Sequence, residues 1–172
     1  FYGNVGSGAT INIHDNIIAA NEDGGSTGDG IHFGGKIIDS EVNIGDGAGP
    51  DYYDNPSNFI KGVDGIHFVG DIEDGSNIKI DGNRLGYYKT SGGSHQFAEL
   101  KDDGIEFDGA IEDVSTILIT ENKILSDDDG IKFNGKITDD ARVTIGGDYG
   151  KGNIIDADGD GVWQRNPEYT DW

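Results

Sequence analysis

The chain has 172 residues, of which 34% are apolar and 30 are glycine, so it is large enough for one domain with a hydrophobic core. Its 33 acidic and 12 basic residues give a formal net charge of −21. This charge argues against nucleic acids and anionic membranes as partners, and it favours divalent cations or a cationic partner. The absence of cysteine excludes disulfides and thiol chemistry, and no apolar run has the length of a membrane-spanning helix, so we expect no membrane insertion.

One pattern recurs along the chain at uneven intervals, and its shortest copy is about 25 residues long. A phenylalanine is followed at alternate positions by Gly, Ile and Asp, starting at Phe33, Phe68, Phe107 and Phe133. An apolar-x-apolar pair comes next, and then an Asn-x-apolar motif that begins at Asn16, Asn58, Asn83, Asn122 and Asn153. The copy closes with an Asp-Gly-apolar motif at Asp29, Asp64, Asp103, Asp129 and Asp160.

Apolar and polar residues alternate within each piece, which predicts short strands, and no window has the periodicity of a helix. Each copy is therefore interpreted as one rung of a coil, with equivalent residues stacked about 4.8 Å apart in parallel sheets. The predicted rungs are residues 1–32, 33–67, 68–106, 107–132 and 133–163, in a single domain of residues 1–172 with a tail at 164–172.

Insertions at two corners explain the uneven spacing; they cover residues 19–28, 45–57, 86–102 and 146–152. Aromatic residues crowd two of them, and the candidates for a ligand platform are Tyr52, Tyr53, Tyr87 and Tyr88. Such rings either stack on sugars or pack against one another inside the long loop that carries them, and the sequence favours neither alternative.

The copy "DGIHFGGKIIDSEVNI" (29–44) resembles the tandem repeats of large secreted bacterial surface proteins, within the pectin-lyase-like superfamily. The resemblance covers nearly the whole chain and implies an all-β, right-handed parallel β-helix of about five rungs. This fold carries lyases, hydrolases, epimerases and adhesins alike, so it does not specify a function.

The first residues, "FYGNVGSGATINI", align without a gap to residues 133–145. The chain therefore starts inside a repeat. We expect residues 1–13 to contact either a neighbouring copy or a further rung of the same chain, because an open rung exposes apolar residues and unpaired backbone. Purified material that stayed monomeric at high concentration with calcium present, and whose amides in residues 1–13 exchanged freely, would contradict the contact with a neighbouring copy.

The acidic residues predict metal binding, with Ca²⁺ as the expected ion, although the Asp of each Asp-Gly motif is first expected to accept backbone N–H bonds at a corner. "DADGDG" (156–161) places carboxylates at alternate positions, as calcium loops do, but it lacks their final glutamate. The predicted metal ligands are Asp156, Asp158 and Asp160, together with Asp127, Asp128 and Asp129.

Three further expectations concern polar residues. The Asn series is interpreted as a structural amide ladder whose members accept left-handed corners.

His32 and His67 occupy one repeat position that later becomes Glu106 and Lys132, so they are interpreted as surface residues. Weak candidates for acid–base catalysis are Asp102, Asp103, Asp128, Asp129 and His95, but the motifs of sugar-cleaving enzymes with this fold are absent.

These observations favour a structural or adhesive module of an extracellular or cell-surface protein, either a head-to-tail filament subunit or a slice of a longer repeat protein. The alternative is a carbohydrate-binding or carbohydrate-cleaving protein of the lyase or hydrolase type. A glycan is therefore a possible partner beside neighbouring copies.

Overall fold

The structure is a computed structural model that describes residues 1–20, 28–45, 57–89, 95–147 and 152–165. These residues form strands, and no α-helix occurs among them. In chain order the strands are β1 (Thr10–Ile13), β2 (Asn16–Ala19), β3 (Ile31–Phe33), β4 (Ile37–Ile38), β5 (Glu41–Ile44), β6 (Asn58–Lys61), β7 (Ile66–Phe68), β8 (Ile72–Glu73), β9 (Asn77–Asp81), β10 (Arg84–Leu85), β11 (Tyr87–Lys89), β12 (His95–Phe97), β13 (Ile105–Phe107), β14 (Thr116–Thr120), β15 (Lys123–Ser126), β16 (Ile131–Phe133), β17 (Arg142–Ile145), β18 (Ile154–Ala157) and β19 (Val162–Gln164).

Four sheets are entirely parallel, and successive copies of the repeat supply neighbouring strands. Three have five strands each, in the orders β1-β5-β9-β14-β17, β2-β6-β10-β15-β18 and β3-β7-β13-β16-β19. The fourth pairs β4 with β8, and single bridges extend it from Val5 to Ile137. The all-β class is confirmed, and the stacked parallel sheets are compatible with a parallel β-helix.

The strand registers confirm the alignment of the repeats. Phe33, Phe68, Phe107 and Phe133 are direct partners in adjacent strands, and their rings stack with centroids 4.8 to 4.9 Å apart. Ile11 pairs with Val42, as the gapless alignment of residues 1–13 predicts. It therefore belongs to a column, by which we mean a set of equivalent side chains stacked from repeat to repeat, here the first residues of the apolar-x-apolar pairs. Burying each such side chain contributes about 1.5–3 kcal/mol, so the repeated columns form the core.

The predicted Asn ladder is confirmed, but its backbone conformation differs from the prediction. Asn58 donates to the Oδ1 of Asn83 at 2.7 Å, and Asn83 and Asn122 each donate to the next Asn at 3.0 Å. None of the left-handed φ angles falls on these Asn residues. Instead, the residue before three of the five Asn residues is left-handed, with φ of 58° at Asp15, 71° at Gly82 and 56° at Glu121. Asn16 and Asn58 begin their strands, and the other three Asn residues come directly before theirs. Their side chains bond to the neighbouring repeat.

The glycine two residues after each phenylalanine is required by a close approach of backbones. A Cβ at Gly109 would lie 2.3 Å from the carbonyl carbon and oxygen of Gly70, and Gly70 stands in the same relation to Gly35. The equivalent Gly3 in the first repeat has nothing within 4 Å of that position. The repeats therefore stack too closely at this corner for any side chain.

One insertion forms structure that the repeat pattern does not predict. Within residues 86–102, β11 and β12 pair antiparallel as a hairpin, and Leu100 is buried and bridged to Ser126. Most of the other three insertions lie outside the described residues. The described part of the chain also contains no helix with the length and apolar character needed to cross a membrane.

Candidate functional site

Two rows of polar side chains run along one outer face of the molecule. The first row occupies the middle position of β3, β7, β13, β16 and β19, between the Ile or Val that begins each strand and the last residue of the strand. Strand pairing stacks its members in the order His32, His67, Glu106, Lys132 and Trp163. The second row is the Asp of each Asp-Gly motif, three residues earlier. We call these the outward row and the Asp row.

The Asp row has the structural role expected at a corner. Oδ1 of Asp64 accepts the backbone N–H of Asp103 at 3.0 Å, and Oδ1 of Asp103 accepts that of Asp129 at the same distance. Asp129 in turn accepts the N–H of Asp160 at 2.8 Å. Each of these carboxylates thus fixes the next repeat with one oxygen and presents the other to the outward row.

His67 lies at the centre of a group of carboxylates. Its Nδ1 is 3.2 Å from Asp29 and 3.4 Å from Asp64, and its Nε2 is 3.3 Å from Glu106 and 3.0 Å from Asp108. The His67 side chain is only 15% exposed. The interpretation of His67 as a surface residue is therefore wrong, because the corner carboxylates of two repeats and the acidic residues of the third enclose it.

His32 joins this group from the preceding repeat. Its Nδ1 lies 2.7 Å from the Oδ2 of Asp29, the same oxygen that His67 contacts. The group borders a cavity of about 410 Å³ lined by Tyr2, Asp29, His32, Val63, Asp64, His67, Asp102 and Glu106. We call these residues the histidine pocket.

The surroundings shift the proton affinities in the histidine pocket in opposite directions. Burial alone would raise the pKa of Asp29 and lower that of His67. Hydrogen bonds with His67 and His32 instead lower the pKa of Asp29 to about 2. Hydrogen bonds with Asp29 and Asp108 raise the pKa of His67 to about 9. Burial raises the pKa of Asp64 and of Glu106 to about 7. The pocket thus combines an imidazolium with carboxyls that exchange protons near neutral pH.

Two repeats after His67, a lysine occupies the same position of the outward row and neutralises a similar group of carboxylates. The Nζ of Lys132 lies 2.9 Å from Asp103, 3.7 Å from Asp128 and 3.9 Å from Asp129. Although burial alone would lower the pKa of Lys132, these carboxylates raise it, and burial raises that of Asp103. A fixed ammonium group therefore occupies the centre of this acidic cluster.

Four groups of side chains in the described residues bring their ligand atoms within 4.8 Å of one another, so acidic clusters that could hold a metal ion do exist. The groups are Asp29–His32–His67, Asp64–His67–Glu106, Asp64–Asp102–Asp103 and Asp103–Asp128–Asp129. Of the predicted ligands, Asp128 and Asp129 belong to such a group. Asp127, Asp156, Asp158 and Asp160 belong to none of these four.

The remaining predicted site residues have mixed outcomes. Asp102 lines the histidine pocket, and Asp103, Asp128 and Asp129 surround Lys132. Tyr87 is buried, with Lys123 5.2 Å from its ring centre, which favours the core of a loop over an exposed platform. Tyr52 and Tyr53 lie outside the described residues, as do the side chains of Tyr88 and His95.

Sequence reasoning missed the histidines and Glu106. The signal was present, because Asp-Gly-Ile-His occurs in two consecutive repeats, at 29–32 and 64–67. Stacking two such copies brings two imidazoles and two carboxylates together, since Asp and His are three residues apart at a corner. The change to Glu and Lys in the later repeats hid this, because a ladder was expected to keep one residue type.

The geometry permits two kinds of chemistry in the histidine pocket: the binding of a metal cation by nitrogen and oxygen donors, and proton exchange. No family model, no curated protein and no solved structure matches this chain.

Proposed function

We propose that the chain is a right-handed parallel β-helix of about five rungs, of the kind found in pectin-lyase-like repeats, and that it serves as a structural or adhesive module outside the cell. Its end rungs stack on rungs of the same type. Those rungs belong to a neighbouring copy or to further parts of the same chain.

The observation that carries this proposal is the exposure of column residues in the outer repeats. Val162 is 48% exposed, whereas its partner in the preceding strand, Ile131, is fully buried. Ile145 is 37% exposed, and its partner Ile119 is fully buried. A further rung at this end would bury both side chains, as the middle repeats do.

The backbone supports the same conclusion. Strands β17, β18 and β19 lie at the edges of the three large sheets, each with a strand partner on one side only among the described residues. Edge strands offer N–H and C=O groups to another parallel strand. A contact between opposite ends of two copies is heterologous and does not close, so it would give a fibre.

Calcium has a supporting role in this proposal. The net charge of −21 opposes the association of copies, and a bound divalent cation would reduce that repulsion. The group Asp64–Asp102–Asp103 offers only oxygen ligands, which Ca²⁺ prefers. Calcium is therefore expected to strengthen association and to raise the melting temperature relative to excess EDTA.

Sedimentation velocity over a range of concentrations, with calcium or with EDTA, tests the proposal. We expect concentration-dependent association that Val162→Lys and Ile145→Lys each weaken. Leu118→Lys is the matched control, because Leu118 is 36% exposed but lies in β14, in the middle of its sheet. A protein that stays monomeric at all concentrations with calcium, or a control that weakens association equally, would contradict stacking on a neighbouring copy.

A further inference from the structure

The two Asp-Gly-Ile-His copies create a donor set that the later repeats do not have. We propose that Asp29, His32 and His67 bind one divalent transition-metal ion of the zinc type, with Asp64 as the fourth ligand. This site lies within the stack and does not require that the end rungs meet another rung.

The three principal side chains already converge. Oδ2 of Asp29 lies 2.7 Å from Nδ1 of His32 and 3.2 Å from Nδ1 of His67. Oδ2 of Asp64 is 3.4 Å from the same nitrogen of His67. Ligand atoms in a tetrahedral zinc site lie roughly 3.3–3.5 Å apart, since each is about 2.0–2.2 Å from the metal. The ligand atoms of Asp29, His32 and His67 already lie within 4.8 Å of one another, so small side-chain rotations are enough to place a metal ion among them, and Asp64 would join through its contact with His67.

The other nitrogen of His67 has the partners that metal-binding histidines need. Nε2 lies 3.0 Å from Asp108 and 3.3 Å from Glu106, so it can donate its proton to a carboxylate while Nδ1 faces the metal. This carboxylate–histidine–metal arrangement fixes the ring and increases its donor strength. Asp64 is oriented as well, because its Oδ1 accepts the N–H of Asp103.

The donor types select the metal. Two imidazoles with two carboxylates suit zinc and its neighbours in the first transition row, whereas Ca²⁺ takes six to eight oxygen ligands. The site borders the 410 Å³ cavity, so an ion can reach it from solvent.

Comparison with Lys132 shows why the metal would bind here and not two repeats further on. There the lysine ammonium is 2.9 Å from Asp103 and holds the position that a cation would take. In the histidine pocket the neutralising group is an imidazole, which can release its proton and bind a metal ion in its place. In the first two copies of the motif a metal ion can therefore replace the proton on the imidazole. In the Lys132 cluster the ammonium group already occupies the corresponding position.

Isothermal titration of the metal-free protein with ZnCl₂, and separately with CaCl₂, tests the proposal. We expect one zinc equivalent whose affinity falls at least about 100-fold in His32→Gln and in His67→Gln, since even loss of an outer partner costs 10–100-fold. His14→Gln is the matched control, because His14 is 52% exposed and pairs only with its neighbour Asp15 among the described contacts. Its zinc affinity should be unchanged.

Two results would overturn the proposal: no zinc binding by the unchanged protein, or zinc binding that the two pocket variants leave as it was. Equal loss in His14→Gln would also do so. If a pocket variant does not fold, an experiment on the unchanged protein still tests the site. Paramagnetic Co²⁺ should then broaden the NMR signals of His32 and His67 before those of His14, and the opposite order would refute the site.

Discussion

The interior columns and the outward row are built by the same strands, yet they follow opposite rules. The interior repeats one residue type from copy to copy, so that four phenylalanine rings stack at 4.8 to 4.9 Å. The outward row changes at almost every step, from His32 and His67 to Glu106, Lys132 and Trp163. Repetition supplies the packing that stabilises the stack, and variation at a fixed position supplies the charges that distinguish one repeat from the next.

The largest effect is expected where the interior column is broken. Ile119→Asp places a charge at a fully buried position between Ile80 and Ile145. An unpaired buried charge costs several kcal/mol, at least about 5, which is comparable with the whole stability of a domain. We expect circular dichroism to show an unfolded protein at room temperature. Leu118→Asp, one residue earlier on the outward side of β14, is the control and should stay folded. An unchanged melting curve for Ile119→Asp would show that the column is assigned wrongly.

A smaller loss is expected at the corner where backbones approach most closely. Gly109→Ala brings a Cβ to 2.3 Å from the carbonyl of Gly70, so the stack must open locally, at a cost of about 1–3 kcal/mol. Gly3→Ala occupies the same repeat position with nothing within 4 Å and should change stability by less than about 0.5 kcal/mol. Urea unfolding of both variants measures the difference. Equal effects would mean that the corner glycines are not required by stacking.

The histidine pocket should make stability depend on pH. The pKa of Glu106 and of Asp64 is raised to about 7, so their contribution is complete below about pH 4 and lost as pH rises through 7. The contribution of His67 is complete below pH 6.5 and lost as pH rises through about 9. Asp29 acts in the opposite sense, and its contribution is lost only as pH falls through about 2.

The melting temperature in excess EDTA should therefore fall steadily from about pH 4.5 to pH 9. Glu106→Gln should remove part of the fall below pH 7, and His67→Gln should remove part of the fall above it. Scanning calorimetry at half-unit pH intervals measures both. A stability that rises over this range would show that the pocket does not control it.

The smallest change in stability, and the most specific test of the comparison, is expected from His67→Lys. The new ammonium group gives the pocket the fixed cation that Lys132 provides in its own cluster. Stability should change by no more than about 1 kcal/mol, because one charge partner replaces another. Zinc binding should disappear, whereas His14→Lys should retain it. Full zinc affinity in His67→Lys would show that the metal binds elsewhere.

The interior could be predicted from the sequence because each column repeats and strand periodicity fixes which side chains face inward. The alignment of Ile11 with Val42 and of the phenylalanines needed no structural information. The histidine pocket could not be predicted in the same way, since it depends on which repeats are neighbours and on how far Asp29 reaches across to His67. The hairpin in residues 86–102 was missed because inserted residues carry no repeat signal.

The Asp residues show most clearly which part of the binding site could not be predicted from the sequence. Asp156, Asp158 and Asp160 follow the alternate spacing of a calcium loop, yet they are in none of the groups whose ligand atoms converge among the described residues. Asp64 lies only three residues before His67, and stacking brings Asp29 from the preceding copy to the same nitrogen of His67. In a stacked repeat, residues that meet are separated by one whole copy, so a local motif is a poor guide to a binding site.

X-ray absorption at the zinc K edge, on the protein loaded with one equivalent of zinc, tests the claim that stacked Asp-Gly-Ile-His copies form a metal site. The account predicts a shell of nitrogen and oxygen ligands at about 2.0–2.2 Å, with the scattering signature of two imidazoles. Loss of that signature in His67→Lys would assign it to this pocket. A shell of oxygen ligands alone, or of a single imidazole, would contradict the account.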